Sequence, residues 1–182
     1  MTEKLARRGL RVHQDYELDA LTQASVGETM ERDAPVIAAD TKVTEVAERI
    51  ARHDPAVARY EALLIVDQAE KLIGIITRGD ILRALDTDSS GSMTVQEAGT
   101  TRLVVAYADE RVSEAAAKLV QFDIGRLPVV ERTDEQKIVG YLNRSSILVA
   151  RSRRFHDEFV REQGWIHRLR RRVPSEVTPS SH

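Results

Sequence analysis

The chain has 182 residues, of which 42% are hydrophobic and 31% are charged, and it contains no cysteine. This composition is typical of a soluble globular protein with one domain or two small ones, and it excludes disulfides, thiolate metal sites and a cysteine nucleophile. The net charge of −2 gives no indication of nucleic-acid binding, and no apolar run reaches the ~20 residues that a membrane span needs. We therefore expect a cytoplasmic protein that meets a membrane at most peripherally.

Residues 1–24 precede the first periodic element. They contain the mixed segments Leu5 to Leu10 and Asp15 to Leu21. A segment of this length is too short to bury a core of its own. We predict a connecting strand and turn here rather than a further domain.

An amphipathic helix is the first periodic element, and its pattern occurs twice. Its apolar residues are spaced at i, i+3, i+4, i+7 and i+8: Val43, Val46, Ala47, Ile50 and Ala51. This spacing predicts a helix with one buried face. The same stripe returns 69 positions later: Val112, Ala115, Ala116, Leu119 and Val120. A repeat of this length indicates two copies of one supersecondary unit.

Each copy is predicted to contain a strand, this helix, two further strands and a closing helix. The strands are Val36 to Ala38, Ala62 to Val66 and Gly74 to Ile76 in the first copy, and Val104 to Ala106, Leu127 to Glu131 and Ile138 to Leu142 in the second. A helix between the first two strands makes a crossover, whereas the polar turn Arg132 to Gln136 makes a hairpin. The sequence thus predicts an α+β fold, with two β-α-β-β-α units packed in a pseudo-twofold arrangement.

Composition sets the limits of these units, because a polar stretch with Gly and Ser marks a linker at 87–92. The predicted organisation is a linker segment at 1–24, units at 25–86 and 93–150, and a basic helical extension with a disordered tail at 151–182. The arginines of the extension could face an anionic membrane or an acidic partner. Asp157, Glu158 and Glu162 interleave with them, which favours a solvated helix packed on its own module.

The stretch Gly74 to Asp80 collects polar groups where a strand turns into a helix. Thr77 can donate to a phosphate, helix N-terminal amides favour an anion, and Asp80 can accept from the two hydroxyls of a sugar. The alternative is a plain helix cap, in which these side chains only satisfy the first amides of the helix. The stretch alone does not decide between them.

Two tandem units, the first closed by Gly-Ile-Ile-Thr-Arg-Gly-Asp at 74–80, resemble the cystathionine β-synthase (CBS) domain pair, or Bateman module. The resemblance covers residues 25–150 and includes Val26 to Met30 and Ile124 to Val130. Modules of this family bind adenosine-containing ligands such as AMP, ADP, ATP or S-adenosylmethionine between the two halves, and they regulate an enzyme, channel or transporter. The resemblance also implies a homodimer. The sequence has no nucleophile elbow, no glycine-rich phosphate loop and no histidines at ligand spacing, so we expect neither catalysis nor a bound cofactor or metal.

The resemblance implies a ligand-binding set: Asp80 for the ribose hydroxyls, Thr77 for phosphate or ribose, Arg126 and Arg144 for phosphate, and the backbone at Val36 and Ile37 for the adenine. Arg78, within the same Gly74 to Asp80 stretch, belongs to the set without an assigned contact. A guanidinium can donate hydrogen bonds to two phosphate oxygens at once, which suits Arg126 to phosphate binding. The alternative for Arg126 is an exposed charge at a strand end.

The second copy departs from this pattern. Asn143 and Ser146 stand where the first copy has Thr77 and Asp80, so the carboxylate for a second ribose is missing. We therefore expect one nucleotide site per chain. The alternative is a purely structural module that binds no nucleotide.

The segment that precedes the CBS pair resembles one particular group of proteins within this family. Leu5 to Val12, followed by Asp15 to Glu17, is similar to the linker before the CBS pair of bacterial CLC-type chloride channels and antiporters. The predicted function is therefore adenine-nucleotide control of a chloride channel or transporter. The alternatives are a stand-alone regulator of a metabolic enzyme and a nucleotide-free scaffold that dimerises a partner.

Overall fold

Two three-stranded sheets, one from each repeat, form the framework of the chain. The computed structural model describes residues 24–149, and the segments predicted before and after them, including the basic extension, lie outside the described residues. The elements of the first repeat are α1 Val26–Thr29, β1 Val36–Ala38, α2 Val43–Ala51, β2 Ala62–Val66, β3 Leu72–Thr77 and α3 Arg78–Thr87. Those of the second are α4 Val95–Ala98, β4 Ala106–Tyr107, α5 Val112–Gln121, β5 Arg126–Glu131 and β6 Asp134–Asn143, followed by a helix, α6, over 144–149.

Both sheets have the mixed topology that the sequence predicts. In the first, β1 runs parallel to β2, because α2 returns the chain to the same end of the sheet, and β2 runs antiparallel to β3. The second sheet repeats this order with β4, β5 and β6. The α+β fold of two β-α-β-β-α units is confirmed.

Four strands differ from their predicted limits. β3 spans Leu72–Thr77 rather than Gly74 to Ile76, and β5 begins at Arg126 rather than Leu127. The first strand of the second sheet lies at Ala106–Tyr107 rather than Val104 to Ala106, because the carbonyl of Val105 accepts a hydrogen bond from Lys118 Nζ at 2.9 Å instead of joining a ladder. The polar turn is shorter than predicted, and β6 begins at Asp134, which pairs with Glu131. Charged side chains fit this ribbon because they are not buried there, and Lys137 Nζ lies 2.7 Å from Glu131 Oε1.

The segment ahead of the first strand of each repeat, residues 24–35 and 93–105, is its lead-in segment, and it packs on the other repeat. Val26 of α1 is fully buried in the core of the second half, against Ala106, Leu119 and Leu127. Val95 of α4 is fully buried in the core of the first half. Neither half therefore completes its core with its own lead-in segment.

Backbone pairing fixes this exchange. Glu31 and Tyr141 exchange two hydrogen bonds, each of 2.8 Å, and Thr100 and Ile75 do the same at 2.8 and 2.9 Å. A glycine precedes the paired strand residue in both cases, because the lead-in backbone passes directly over it. A Cβ on Gly140 would lie 2.9 Å from the carbonyl oxygen of Glu31 and 2.5 Å from Met30 Sδ, which is closer than packed atoms approach.

A third apolar cluster joins the two halves. Leu64 and Leu72 from the first sheet pack with Val130 and Tyr141 from the second. At its edge, Lys71 forms an ion pair with Asp134 across the boundary. The halves thus pack through their sheets, as the predicted pseudo-twofold arrangement requires.

The polar stretch between the halves is an ordered turn. Asp88 follows α3, and its carboxylate accepts hydrogen bonds from the backbone N–H groups of Ser90 at 3.0 Å and Met93 at 2.7 Å. The hydrogen bond from the Ser90 side chain and those from the backbone hold the pKa of Asp88 below its usual value. Within residues 24–149, no helix has the length and hydropathy to cross a membrane.

Because α1 packs in the core of the second half, we predict that shortening its buried side chain destabilises that half. Val26→Ala removes two methyl groups from a fully buried position, and we expect the free energy of unfolding to fall by about 1 to 3 kcal/mol. Val36→Ala is the control, because Val36 is 50% exposed, and its cost is expected to stay below about 1 kcal/mol. Urea unfolding followed by circular dichroism measures both, and equal losses would contradict the exchange.

Candidate functional site

A cleft of about 600 Å³ lies between the two halves on one side of the chain. Residues 31–33 and 59–61 line it from the first half, and residues 125–126, 141 and 143–145 line it from the second. Its charged and aromatic lining consists of Arg32, Arg59, Arg126, Arg144, Glu31, Asp33, Glu61, Tyr60 and Tyr141. Concave sites with a few convergent polar groups are typical of small-molecule binding.

Arg126 is the residue in this cleft with an unsatisfied donor. It begins β5 and is half-buried, and its Nε is buried without a hydrogen-bond partner among residues 24–149. A buried donor without an acceptor costs free energy until a ligand or water supplies one. Arg144 lines the same cleft, and its guanidinium donates to the carbonyl of Ile124 at 3.2 Å. The structure thus brings together the two predicted phosphate-binding arginines.

Thr77 and Asp80 form the cap of α3. The Asp80 carboxylate accepts from the Thr77 backbone N–H at 2.8 Å and from its hydroxyl at 2.6 Å, and Thr77 Oγ1 accepts from the Asp80 N–H at 3.2 Å. The other carboxylate oxygen pairs with Arg83. Asp80 is only 9% exposed, and neither residue lines the cleft. In this arrangement they make the helix cap that was the alternative to ribose binding.

The remaining predicted residues, Arg78, Val36 and Ile37, do not line the cleft either. The Arg78 guanidinium donates to the carbonyls of Ala58 and Tyr60, the latter at 3.2 Å, so it holds the loop that presents Tyr60 to the cleft. Val36 is half exposed and lines a separate cavity of about 490 Å³ beside Lys71 and Ile138. The side chain of Ile37 belongs to the core of the first half. Their predicted contacts with a ligand stay predictions.

Sequence reasoning missed Glu31. Its carboxylate Oε1 accepts from Asn143 Nδ2 at 2.8 Å and from Ser146 Oγ at 3.3 Å. Asn143 Oδ1 in turn accepts from the Ser146 N–H at 2.8 Å and so caps α6. The residues joined are more than 110 positions apart in the chain. Periodicity cannot reveal such a contact; only the exchange of lead-in segments brings Glu31 to the second half.

Each half of the chain matches the same known domain family. Residues 26–87 and 95–153 match the model of the CBS domain. The chain belongs to the CBS-domain family. Its two repeats form one CBS pair, in which the cleft lies between the CBS domains.

Relatives of this CBS pair include enzymes and a solved pair. L-aspartate semialdehyde sulfurtransferase of Methanocaldococcus jannaschii is 32% identical over 115 residues, which are 62% of this chain and 21% of that protein. Homoserine O-acetyltransferase of Methanohalobium evestigatum is 29% identical over 85 residues, 47% of this chain and 16% of that protein. The chain thus spans about a fifth of their length or less.

The solved relative is the CBS domain pair of protein MJ0100, in complex with 5′-methylthioadenosine and S-adenosyl-L-methionine. It is 28% identical, with a TM-score of 0.57, and the match covers 74% of this chain and 98% of that one. The similarity therefore extends over both repeats of the present CBS pair.

Tyr141 connects the cleft of this CBS pair with its core. The residue is 2% exposed, and burial raises the pKa of its phenol from 10 to about 12, while the positive charge of Arg126 acts in the opposite direction. The phenol is therefore neutral at physiological pH. A neutral hydroxyl can both donate and accept a hydrogen bond at the cleft wall.

The raised pKa of Tyr141 predicts a loss of stability in alkali. The folded state holds this proton more tightly than the unfolded state, so the contribution is complete below pH 10 and is lost as the pH rises to about 12. Tyr141→Phe removes it, and we expect the wild type to lose about 2 to 3 kcal/mol more than the variant across this window. Urea unfolding at stepped pH measures the difference, and parallel curves would refute it.

Proposed function

We propose that this CBS pair is a cytoplasmic, non-enzymatic regulatory module that binds an adenine nucleotide, ATP, ADP or AMP, in the cleft between its halves. The observation that carries the proposal is the arginine pair in the cleft, because Arg126 has a buried unsatisfied donor and Arg144 lines the same cleft. Charge-assisted bonds from guanidinium to phosphate are among the strongest polar contacts. The adenosine ligands of the MJ0100 pair support the ligand class.

Regulation would come from the position of the cleft between the CBS domains. One wall belongs to the first half and the other to the second, so a bound nucleotide touches both. A ligand shifts an equilibrium only as far as its affinity differs between two states. A ligand that bridges both walls meets this condition whenever a partner protein changes the distance between them.

Of the possible partners, a metabolic enzyme has the better support. The curated relatives named above carry enzyme names, and this chain corresponds to a small part of each. We therefore propose an enzyme as the regulated partner, present as a separate subunit or in the same polypeptide. Control of a CLC-type chloride channel stays a prediction from residues 5–17, which lie outside the described residues.

We further propose a homodimer, as the family resemblance implies. Large apolar side chains are exposed on or next to helices of both halves: Leu82 on α3 at 64%, Phe122 directly after α5 at 51%, and Leu148 on α6 at 62%. Exposed apolar side chains grouped on a surface are a feature of protein contact sites. The alternative is a nucleotide-free scaffold that dimerises a partner through the tail at 151–182, which lies outside the described residues.

Calorimetric titration of the full chain with ATP, ADP, AMP, S-adenosylmethionine and 5′-methylthioadenosine tests the nucleotide proposal. Arg126→Ala removes one phosphate contact, and we expect about 10- to 150-fold weaker binding of the nucleotides. 5′-Methylthioadenosine has no phosphate, so its affinity is expected to change little.

Two results would contradict this proposal. Absence of binding by all five ligands at millimolar concentration would exclude the sensor function and leave the scaffold. Asp80→Ala separates the two possible positions of the site, because Asp80 does not line the cleft. Loss of nucleotide binding in Asp80→Ala, with full binding in Arg126→Ala, would place the site at the start of α3 instead.

A further inference from the structure

The pseudo-twofold symmetry gives every residue at the start of α3 a counterpart at the start of α6. Thr77 and Asp80 correspond to Asn143 and Ser146, and both pairs cap their helices. The carboxylate of Asp80 has no equivalent on α6, since the Ser146 side chain ends in a hydroxyl. Judged by these positions alone, the second half cannot bind a ribose through a carboxylate.

Where the lead-in segments cross the sheets, the carboxylate is in the other half: the residue over the second sheet carries one, and the residue over the first sheet does not. Thr100 lies over β3 and Glu31 lies over β6, and the two make equivalent backbone pairs with Ile75 and Tyr141. Glu31 therefore occupies the position of Thr100, and its carboxylate reaches the start of α6. In the first half the carboxylate belongs to the helix, as Asp80 of α3. In the second half it belongs to the lead-in segment, as Glu31.

The geometry points to Glu31 as the ribose-binding carboxylate of the cleft, in place of the aspartate that the second repeat lacks. The inference rests on the proposed function, and it adds a binding residue contributed by the lead-in of the opposite half. The predicted ligand class is one with vicinal hydroxyls, because a carboxylate can accept from two neighbouring hydroxyls at once.

Glu31 is held in place for this role. Its backbone makes both hydrogen bonds to Tyr141, and its Oε1 is fixed by Asn143 and Ser146. The residue is nevertheless exposed and lines the cleft, so a ligand can reach the carboxylate. A side chain whose orientation is fixed before binding loses little conformational entropy when the ligand arrives.

Charged groups of both signs line the cleft: Arg32, Arg59, Arg126 and Arg144, together with Glu31, Asp33 and Glu61. A phosphate is repelled by the carboxylate of Glu31 and attracted by the guanidinium groups of Arg126 and Arg144. A nucleotide would therefore place its sugar against Glu31 and its phosphate against the arginines. This arrangement uses both kinds of charge, which a site for a simple anion would not need.

Replacement of one atom in Glu31 tests the inference. Glu31→Gln keeps the size and an acceptor for Asn143 but removes the charge. Titrations with AMP and with 2′,3′-dideoxy-AMP compare a ligand that has both hydroxyls with one that has neither. We expect AMP binding to weaken by about 10-fold or more, dideoxy-AMP binding to change little, and the preference for AMP to disappear.

Two further variants make the test specific. Asp33→Asn removes another exposed carboxylate from the same segment and the same cleft, and it is expected to leave the preference for AMP intact. The double variant Glu31→Gln with Ser146→Asp returns a carboxylate to α6 and is expected to recover AMP binding. Thermal unfolding of each variant identifies any loss of folding, which would lower the affinity of both ligands alike.

The outcomes separate this inference from the proposed function. If the wild type binds AMP but Glu31→Gln retains its preference over dideoxy-AMP, the assignment of Glu31 is wrong and the nucleotide function stands. An equal effect of Asp33→Asn would also overturn the assignment, because general charge would then explain it. If the wild type binds neither ligand, nor any other adenosine compound, both the function and the assignment are wrong.

Discussion

The exchange of lead-in segments between the two CBS domains is the constraint on which the rest of the structure depends. In each half a segment from the other repeat lies across the last strand of the sheet and exchanges both backbone hydrogen bonds with it. Close approach requires Gly140, and it leaves little room for a side chain at Gly74, where a Cβ would lie 3.2 Å from the carbonyl oxygen of Thr100. The helix ahead of each crossing then buries an apolar side chain, Val26 or Val95, in the core beneath.

The same crossing determines what the cleft is made of. Its two walls belong to different halves, and Glu31 is present only because the first lead-in segment lies over β6. The helix starts act mainly as supports: Arg78 holds the loop that carries Tyr60, and Asn143 holds Glu31. Residues at a helix start can therefore serve to position the side chains that line a neighbouring cleft.

The sequence was sufficient for the fold because the repeat, the helical stripe and the apolar strands are local patterns. β1 and β2 have the limits that were predicted. The extent of β6 was wrong, since a polar ribbon outside the core has no apolar signature. Arg126 and Arg144 were placed in one site through the family resemblance. Glu31 could not be found in this way, because its role depends on a contact between distant parts of the chain.

The crossing also gives the two halves a different order of completion on the ribosome. The first CBS domain receives its missing helix, α4, within a few residues of the end of α3. The helix α1, by contrast, is synthesised well before β6, its site of packing, and the separation between Glu31 and Asn143 is 112 residues. N-terminal units generally fold first during synthesis. The two CBS domains are nearly symmetric in structure, but during synthesis the core of the first can be completed before the core of the second.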